Sequence, residues 1–289
     1  MEAKESADTQ KRQYDAGIRA VQGKILEIMK HIDELCRENG IVYYIMGGTA
    51  LGAIRNGGFI PWDDDLDIFM TIDQYRKLKS SFERSGSDKF VIQEWRTTPR
   101  YIEYVKVRMN GTTFIEHGFR NRAGMHHGIY VDIMILHKVA LNLCIQKLVY
   151  YECKYVTFYA LSQRNWRPKS MAQKVALSLL KILPNRALIG ACYRRIYRYD
   201  GLKDDFCWCY WITKASFKKG LFDRTFFELP VDIPFEDTEL MGSAHIKEYL
   251  KARYGDYMKL PSEDERKASV HAEVFDTENG FERYLELKR

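Results

Sequence analysis

The chain has 289 residues, of which 46% are hydrophobic and 13% aromatic, and these values exclude a disordered or collagen-like chain and a mini-protein that needs staples to fold. The net charge of +6 is unevenly distributed, because residues 138–200 contain 12 Lys or Arg and only 2 Asp or Glu, whereas the remainder is net −4. We therefore expect no nucleic-acid partner, and a polyanionic or lipid-surface contact for the basic segment alone.

The cellular location is predicted from the N-terminal residues and from the length of the apolar stretches. The N-terminal residues MEAKESADTQKRQ are charged with no apolar region behind them, so no secretory signal is predicted. The longest strongly apolar stretch, residues 175–183, is about half as long as a transmembrane helix needs to be. We expect a cytoplasmic protein with reduced cysteines, in which the Cys-Trp-Cys sequence at 207–209 packs in the core rather than binding zinc.

Helix and strand patterns alternate in the first half of the chain. Apolar residues at helical spacing predict a helix over residues 18–36, with Gly40 as its stop. Thr71 and Gln74 form a capping pattern for a helix that runs to about Glu83. The predicted strands are Ile41–Met46, Leu66–Met70, Phe90–Glu94, Tyr101–Met109 and Ile129–Leu136. This alternation predicts an α/β (α+β) protein with a mixed sheet flanked by helices.

The second half of the chain has a different pattern. We interpret residues 1–137 as a catalytic core, 138–205 as a basic insert of two or three helices, and 206–289 as a C-terminal part that completes the same catalytic unit. A helix is predicted over Ser243–Tyr254, and the tail after Pro261 is expected to be irregular.

An acidic run precedes the second predicted strand. Four carboxylates fall within five residues, at Asp63, Asp64, Asp65 and Asp67. Because strand side chains alternate, Asp65 and Asp67 share a face, which Asp63 joins if the strand begins early. Carboxylates about 7 Å apart repel unless a cation lies between them, and hard oxygen ligands favour Mg²⁺ or Mn²⁺. The alternative for such a run is a solvated turn or a helix cap.

A glycine turn lies at the end of the first predicted strand. Gly47, Gly48 and Thr49 open a short helix that runs to Arg55, and backbone N–H groups in this position bind anions. A Gly-Gly turn alone more often marks tight geometry. A phosphate cradle next to carboxylates that bind metal predicts phosphoryl or nucleotidyl transfer.

Charged residues on other strands complete the predicted site. Asp132 is a lone charge in an apolar strand and is a candidate metal ligand, the alternative being an aspartate satisfied by a neighbouring lysine or backbone N–H. Lys106 and Arg108 alternate with valines and are candidate phosphate contacts, the alternative being exposed charges on an edge strand. Weaker candidates for phosphate or acceptor contacts are His126, His127 and His271.

The sequence GGTALGAIRNGGFIPWDDDLDIFM at 47–70 resembles the signature of the LicD family of phosphotransferases, which is related to the catalytic domain of fukutin-related protein. The similarity continues in EYVKVR at 103–108, HGIYVDIM at 127–134 and YLKARYGDYMKLP at 249–261. The resemblance implies a nucleotidyltransferase-like fold with Mg²⁺ (or Mn²⁺) held by the aspartates at 63, 65, 67 and 132. It also implies that a phosphorylated alcohol, such as phosphocholine, moves from a CDP-alcohol (CDP-choline-like) donor to a sugar hydroxyl of a glycan or lipid-linked glycan, with release of CMP.

Three hypotheses follow for the activity. In the first, an acceptor hydroxyl attacks the phosphorus that bears the alcohol, and Gly47, Gly48 and Thr49 hold the diphosphate. Asp65, Asp67 and Asp132 are the catalytic candidates, and one of the carboxylates, with Asp132 as the first choice, takes the hydroxyl proton. In the second, the protein is a nucleotidyltransferase that joins a nucleoside monophosphate to a small molecule or a protein. In the third, it is a noncatalytic scaffold that binds lipid or a partner chain.

Two further features have open interpretations. An aromatic cage for a quaternary ammonium is one reading of Trp62, Trp95, Tyr101 and Tyr104, and core packing is the other. One interpretation of the basic insert is that it binds peripherally to the inner face of an anionic membrane. The other is that it is a packed helical subdomain with a solvated basic surface.

Overall fold

The computed structural model describes residues 2–94, 105–117, 124–162, 170–182, 185–213, 215–262 and 271–285. The helices in these ranges are α1 Glu2–Glu38, α2 Gly47–Asn56, α3 Ile72–Ser85, α4 Leu143–Ser162, α5 Met171–Ile182, α6 Asn185–Asp200, α7 Ile246–Tyr254 and α8 Glu282–Leu285. The strands are β1 Tyr44–Ile45, β2 Asp67–Met70, β3 Phe90–Gln93, β4 Val105–Met109, β5 Thr113–Glu116, β6 Tyr130–Ile135, β7 His137–Ala140, β8 Phe206–Cys209, β9 Leu221–Phe222, β10 Pro230–Phe235, β11 Thr238–Ser243 and β12 Ala272–Asp276.

The centre of the structure is a five-stranded sheet in the order β1-β2-β6-β4-β3. Strands β2 and β6 are parallel, and the other neighbours are antiparallel. Three two- or three-stranded sheets, β10-β11, β12-β5 and β7-β8-β9, surround it in the described part of the chain. The predicted mixed sheet flanked by helices is therefore confirmed.

Helix α1 covers the sheet with one apolar face. Its buried residues recur every three or four positions, as in Val21, Ile25, Ile28 and Ile32, each no more than 1% exposed. The helix packs against α3 and against strands β4, β6 and β11. Gly40 adopts a φ of +61° beyond its end, which confirms the predicted stop.

Helix α2 begins two residues earlier than predicted, since Gly47 and Gly48 are its first residues rather than a separate turn. Gly47 has a φ of +55°, which a glycine adopts without steric cost. The chain therefore passes from β1 into the helix with only Met46 between them. Thr71 caps α3 as predicted, with its hydroxyl accepting from the N–H of Gln74.

Seven of the observed strands, β5 and β7 to β12, were not predicted. Strand β5 pairs with β12, which lies in the tail that was expected to be irregular. Neither has a long apolar run, and each becomes a strand because the other supplies its hydrogen-bonding edge. Of the predicted strand Tyr101–Met109, the structure contains Val105–Met109, and residues 101–104 lie outside the described ranges.

The basic segment forms three helices, α4 to α6, with a hydrophobic cluster of its own. This cluster joins apolar residues of α4 and α6 to strands β7 and β8 and to Trp211. Cys209 is buried in it, which agrees with core packing of the Cys-Trp-Cys sequence. Among the described residues, no helix is both long and apolar enough to span a bilayer.

The segment that follows α2 packs closely against the helix at Gly52. A Cβ there would lie 2.4 Å from the carbonyl oxygen of Gly58, whereas a Cβ at the exposed Gly23 of α1 would meet nothing within 4 Å. We expect Gly52→Ala to lower the free energy of unfolding by about 1–3 kcal/mol. The matched control Gly23→Ala should raise it by about 0.5–1 kcal/mol, because alanine favours the helix. Urea denaturation measures both, and equal stability of the two variants would contradict the packing argument.

Candidate functional site

Three charged side chains lie in one row across the central sheet. Asp67 of β2 is the register partner of Asp132 of β6, and Asp132 is in turn the partner of Lys106 of β4. Partners in adjacent strands point to the same face of a sheet. The structure therefore brings Asp67 and Asp132 together at the point where β2 begins, as the sequence predicted.

Asp63 and Asp65 extend this group of carboxylates from the loop before β2. The two side chains share a hydrogen bond, and burial together with the charge of Asp65 raises the pKa of Asp63 well above its usual range. Burial, followed by the charges of Asp65 and Asp132, likewise raises the pKa of Asp67. The Oδ1 atom of Asp67 is buried and accepts no hydrogen bond from the described residues. We call the four side chains, Asp63, Asp65, Asp67 and Asp132, the acidic cluster.

Lys106 is a cation built into this cluster. Its Nζ lies 2.8 Å from Oδ1 of Asp132 and 3.6 Å from Oε2 of Glu116, and 3.4 Å from the ring centroid of Tyr130. Burial raises the pKa of Asp132 and Lys106 opposes this, so that the pKa is about 6. The alternative of an aspartate satisfied by a neighbouring lysine is thus realised for Asp132, but one ammonium does not neutralise four carboxylates.

Arg108 lies on the same strand face but has its donors committed to the protein. Its guanidinium donates to Oε1 of Gln93 and to the carbonyl oxygen of Gly128, both at 2.7 Å, and lies 3.5 Å from Oε2 of Glu116. The residue is 1% exposed. Its position is that of a buried structural arginine and does not support the predicted phosphate contact.

Asp64 has a different role from its neighbours in the acidic run. It is 1% exposed, and its carboxylate accepts from the backbone N–H groups of His271 and Ala272 at 2.9–3.0 Å. The sequence analysis counted Asp64 in the run without assigning it a role. The sequence carries no signal for this role, because the backbone that Asp64 binds lies more than 200 residues further along the chain.

His271 is held beside the acidic cluster by this contact. Its Nδ1 lies 3.0 Å from Oδ1 of Asp64 and 3.4 Å from Oδ2 of Asp65. Burial disfavours the charged imidazole, but the hydrogen bond to Asp64 and the nearby carboxylates raise the pKa of His271 to about 10. His271 is therefore a second cation next to the cluster, and its place there supports the weak prediction made from the sequence.

The other two histidines are placed differently. The ring of His126 contacts Asn110 at 2.8 Å and accepts from the N–H of Gly128, and burial lowers its pKa to about 4. His127 is 1% exposed, and its ring packs against Phe281. Both histidines lie just before β6, in the part of the chain that leads into it.

The start of α2 lies directly against the carboxylates. A Cβ at Gly47 would lie 3.4 Å from Oδ2 of Asp67, and a Cβ at Gly48 would lie 2.7 Å from Oδ2 of Asp63. The buried hydroxyl of Thr49 accepts from the N–H of Asp67 at 2.9 Å, so Thr49 positions the first residue of β2. A larger residue at 48 would therefore displace the carboxylate of Asp63.

Two tyrosines of the C-terminal part reach this helix start. The N–H of Gly47 donates to the hydroxyl of Tyr249 at 3.0 Å, and the hydroxyl of Tyr254 lies 3.8 Å from where a Cβ of Gly47 would be. Burial, with a contribution from the charge of Asp67, raises the pKa of Tyr254 to about 12. The sequence analysis did not select either residue. Of the aromatic residues proposed as a cage, Trp62 is half-buried and the other three lie outside the described ranges.

The side chains of the acidic cluster have the ligand atoms that a divalent cation prefers, but too few of them converge to coordinate an ion fully. Carboxylate oxygens are the ligands that Mg²⁺ prefers, and the orphaned Oδ1 of Asp67 lacks a partner. In the described part of the chain, no three His, Cys, Asp or Glu side chains are arranged to hold a metal ion together. This is the situation of ions that bind one or two carboxylates and complete their shell with substrate phosphates and water.

Comparison with known proteins supports the resemblance seen in the sequence. Residues 40–148 match the family model described as "LicD/FKTN/FKRP, nucleotidyltransferase domain". The chain is 25% identical over 256 residues to the lipopolysaccharide cholinephosphotransferase LicD of Haemophilus influenzae, and the match covers 86% of this chain and 94% of that protein. The predicted resemblance to the LicD family is thereby confirmed.

Two shorter matches are also found. A segment of 44 residues is 52% identical to part of an uncharacterized protein of Rickettsia prowazekii, and covers 15% of this chain and 16% of that protein. A segment of 119 residues is 26% identical to part of Mannosyltransferase regulator 4 of Saccharomyces cerevisiae, and covers 39% of this chain and 10% of that protein.

The contrast between Asp64 and Asp67 predicts opposite effects of one substitution. We expect Asp64→Asn to lower the free energy of unfolding by about 1–3 kcal/mol, because an amide group would face buried N–H donors. Asp67→Asn should raise it by about 0.5–2 kcal/mol, because a repelled, unpaired charge is removed. Urea denaturation in the presence of EDTA measures both values. A shift in the same direction for the two variants would refute the division of roles.

Proposed function

We propose that this LicD-like chain is a transferase that moves a phosphorylated small alcohol, choline phosphate first among the candidates, from a CDP-activated donor to a sugar hydroxyl of a surface glycan or glycolipid, releasing CMP. The observation that carries the proposal is the acidic cluster at the start of β2, packed against the glycine start of α2. The cholinephosphotransferase from Haemophilus influenzae, which aligns over most of the chain, supports the choice of substrate class.

The donor diphosphate is assigned to the start of α2. The first N–H groups of a helix have no partner within the helix, and they carry a partial positive charge. The N–H of Gly47 already donates to Tyr249, so the phosphate oxygens are assigned to the N–H groups of Gly48 and Thr49, and Gly48 has no side chain to keep them from the backbone. Among the charged side chains on the sheet, Lys106 is the cation that lies within the cluster, and it offsets part of the charge that the diphosphate brings.

A divalent cation, Mg²⁺ or Mn²⁺, is assigned to the carboxylates of the cluster, with Asp65 and Asp67 as its first ligands and Asp63 and Asp132 beside them. When bound, the ion would neutralise charge on the phosphate oxygens of the donor. The protein's own contribution is to hold the carboxylates close together before the ion arrives. Thr49 positions Asp67 by accepting a hydrogen bond from the backbone N–H of Asp67, and Lys106 positions Asp132 through an ion pair.

Asp132 is assigned as the acceptor of the hydroxyl proton. In the proposed reaction, the oxygen of the acceptor hydroxyl forms a bond to the phosphorus that bears the alcohol. The bond from that phosphorus to the CMP oxygen breaks, and CMP leaves with the electron pair. The hydroxyl proton passes to the carboxylate of Asp132, which Lys106 holds in place at 2.8 Å.

A noncatalytic scaffold is disfavoured by the energetics of the cluster. Four carboxylates held close together, one of them with an Oδ1 atom that accepts no hydrogen bond from the described residues, lower the stability of the folded chain, because desolvation and mutual charge disfavour their ionised forms. Such costs are typical of sites that bind a ligand. A nucleotidyltransferase that joins a nucleoside monophosphate to a small molecule or a protein would use the same cluster, so the two activities differ in the bond that breaks.

We expect CMP to be released from CDP-choline when the purified chain is given Mg²⁺ and a glycan acceptor. Asp65→Asn and Asp67→Asn should each lower the rate by about 100-fold or more, because each removes a charged ligand from the donor site. The control is Asp73→Asn, an aspartate of α3 whose side chain is 75% exposed, and it should leave the rate unchanged. Product analysis by chromatography identifies the nucleotide.

Two outcomes would contradict the proposal. Release of pyrophosphate from a nucleoside triphosphate, with no CMP from any CDP-alcohol, would establish the nucleotidyltransferase instead. A full rate in Asp67→Asn would remove the acidic cluster from the reaction.

Cation binding is testable without turnover. Mg²⁺ at 100 times its dissociation constant should raise the free energy of unfolding by about 2.7 kcal/mol if it binds the folded chain alone. We expect a rise in melting temperature with Mg²⁺ for the wild-type chain and for Asp73→Asn, and a much smaller rise for Asp67→Asn. An equal rise in all three would place the ion elsewhere.

A further inference from the structure

We propose that the outer faces of α4 and α5 form a docking surface for an anionic lipid bilayer. This proposal does not depend on the chemistry assigned to the acidic cluster, since it rests on a different part of the molecule. Nine of the fourteen large hydrophobic residues that are exposed in the described ranges lie between Leu141 and Leu188. They are therefore concentrated in the helical segment that also carries the net positive charge.

Helix α4 is apolar on two opposite sides. Its inner side packs in the second hydrophobic cluster through residues such as Val149, Cys153 and Val156. On its outer side lie Leu148, Tyr151 and Phe158, which are 45%, 67% and 46% exposed. A helix that is apolar all round is normally buried in a core or placed against lipid. In the part of the chain that the structure describes, the hydrophobic core covers only one of the two sides.

The outer side of α4 also carries side chains that have both an apolar and a polar part. At 100° per residue, Lys147 and the half-buried Tyr155 fall within the same sector as the three exposed apolar side chains. Lysine and tyrosine have apolar bodies and polar ends, which suits them to the headgroup region of a bilayer. The helix has 20 residues and is about 30 Å long, enough to lay several such residues on a surface.

Helix α5 extends the same kind of surface. It packs against α4, and none of its described side chains is fully buried. Met171, Val175 and Leu179 recur every four residues along one face and are 73%, 52% and 57% exposed. Lys174 is exposed next to this face. An apolar stripe bordered by lysine is typical of helices that lie in a membrane interface.

The charge of the segment selects an anionic occupant. Residues 138–200 contain 12 basic and 2 acidic residues. Both acidic residues are already paired, Glu152 with Arg195 at 2.9 Å and Asp200 with His137 at 2.9 Å. The segment itself therefore contains no further acidic residue to balance its excess positive charge, and anionic headgroups would supply counterions.

The test is flotation of the full-length chain with two kinds of vesicle, one of phosphatidylcholine alone and one of equal parts phosphatidylcholine and phosphatidylglycerol. We expect the chain to float with the anionic vesicles and to dissociate as salt is raised. The variant Leu148→Ser/Tyr151→Ser/Phe158→Ser should partition at least about tenfold more weakly, since three apolar contacts are lost. Lys147→Gln and Lys174→Gln should each weaken partition by about fivefold.

A matched control keeps the result specific. Leu229→Ser/Val231→Ser removes two exposed apolar side chains outside the basic segment, 66% and 41% exposed, and should float like the wild type. Unchanged melting temperatures would show that the variants are folded. No flotation of the wild type, or equal flotation of the triple variant, would overturn the proposal. Self-association of the wild type without lipid, abolished in the triple variant, would overturn it in favour of a protein interface.

Discussion

Mutual repulsion among the four clustered carboxylates is the constraint on which the site depends. The parallel pairing of β2 with β6 fixes Asp67 next to Asp132, and the loop before β2 adds Asp63 and Asp65. Burial raises the free energy of each charged form, and the neighbouring charges raise it further. The fold tolerates this group because positive charge surrounds it, from Lys106 in the sheet, from His271 at the edge and from the start of α2.

The acidic run shows how partners that are distant in sequence separate structure from chemistry. Asp63, Asp65 and Asp67 take part in the cluster, while Asp64 binds the backbone at 271–272. The contact of Asp64 with these backbone donors fixes the loop that carries Asp63 and Asp65. Four aspartates in one short run therefore have two functions, which are distinguished by the partners that the fold brings to each.

The sequence permits prediction of what depends on local pattern. Alternation and the lone charge of Asp132 were sufficient to select the carboxylates, and the period of α1 was sufficient to select its buried face. Partners that depend on long-range register were not predictable: the antiparallel pairing of β4 with β6 joins Lys106 to Asp132, and strands β5 and β12 form only because they meet. Arg108 has the same sequence pattern as Lys106, and only the position of Gln93 and Gly128 shows that its donors are used internally.

The basic segment and the rest of the chain carry opposite net charges, and this difference would orient the protein at a charged surface. The segment at 138–200 has a net charge of +10, whereas the rest of the chain is net −4. An anionic surface would attract the first and repel the second, so the chain would approach with α4 and α5 foremost. The second hydrophobic cluster joins α4, against which α5 packs, to β7, which follows β6 after a single residue. A contact made by the helices is thus connected through a short, packed segment to the strand that carries Asp132.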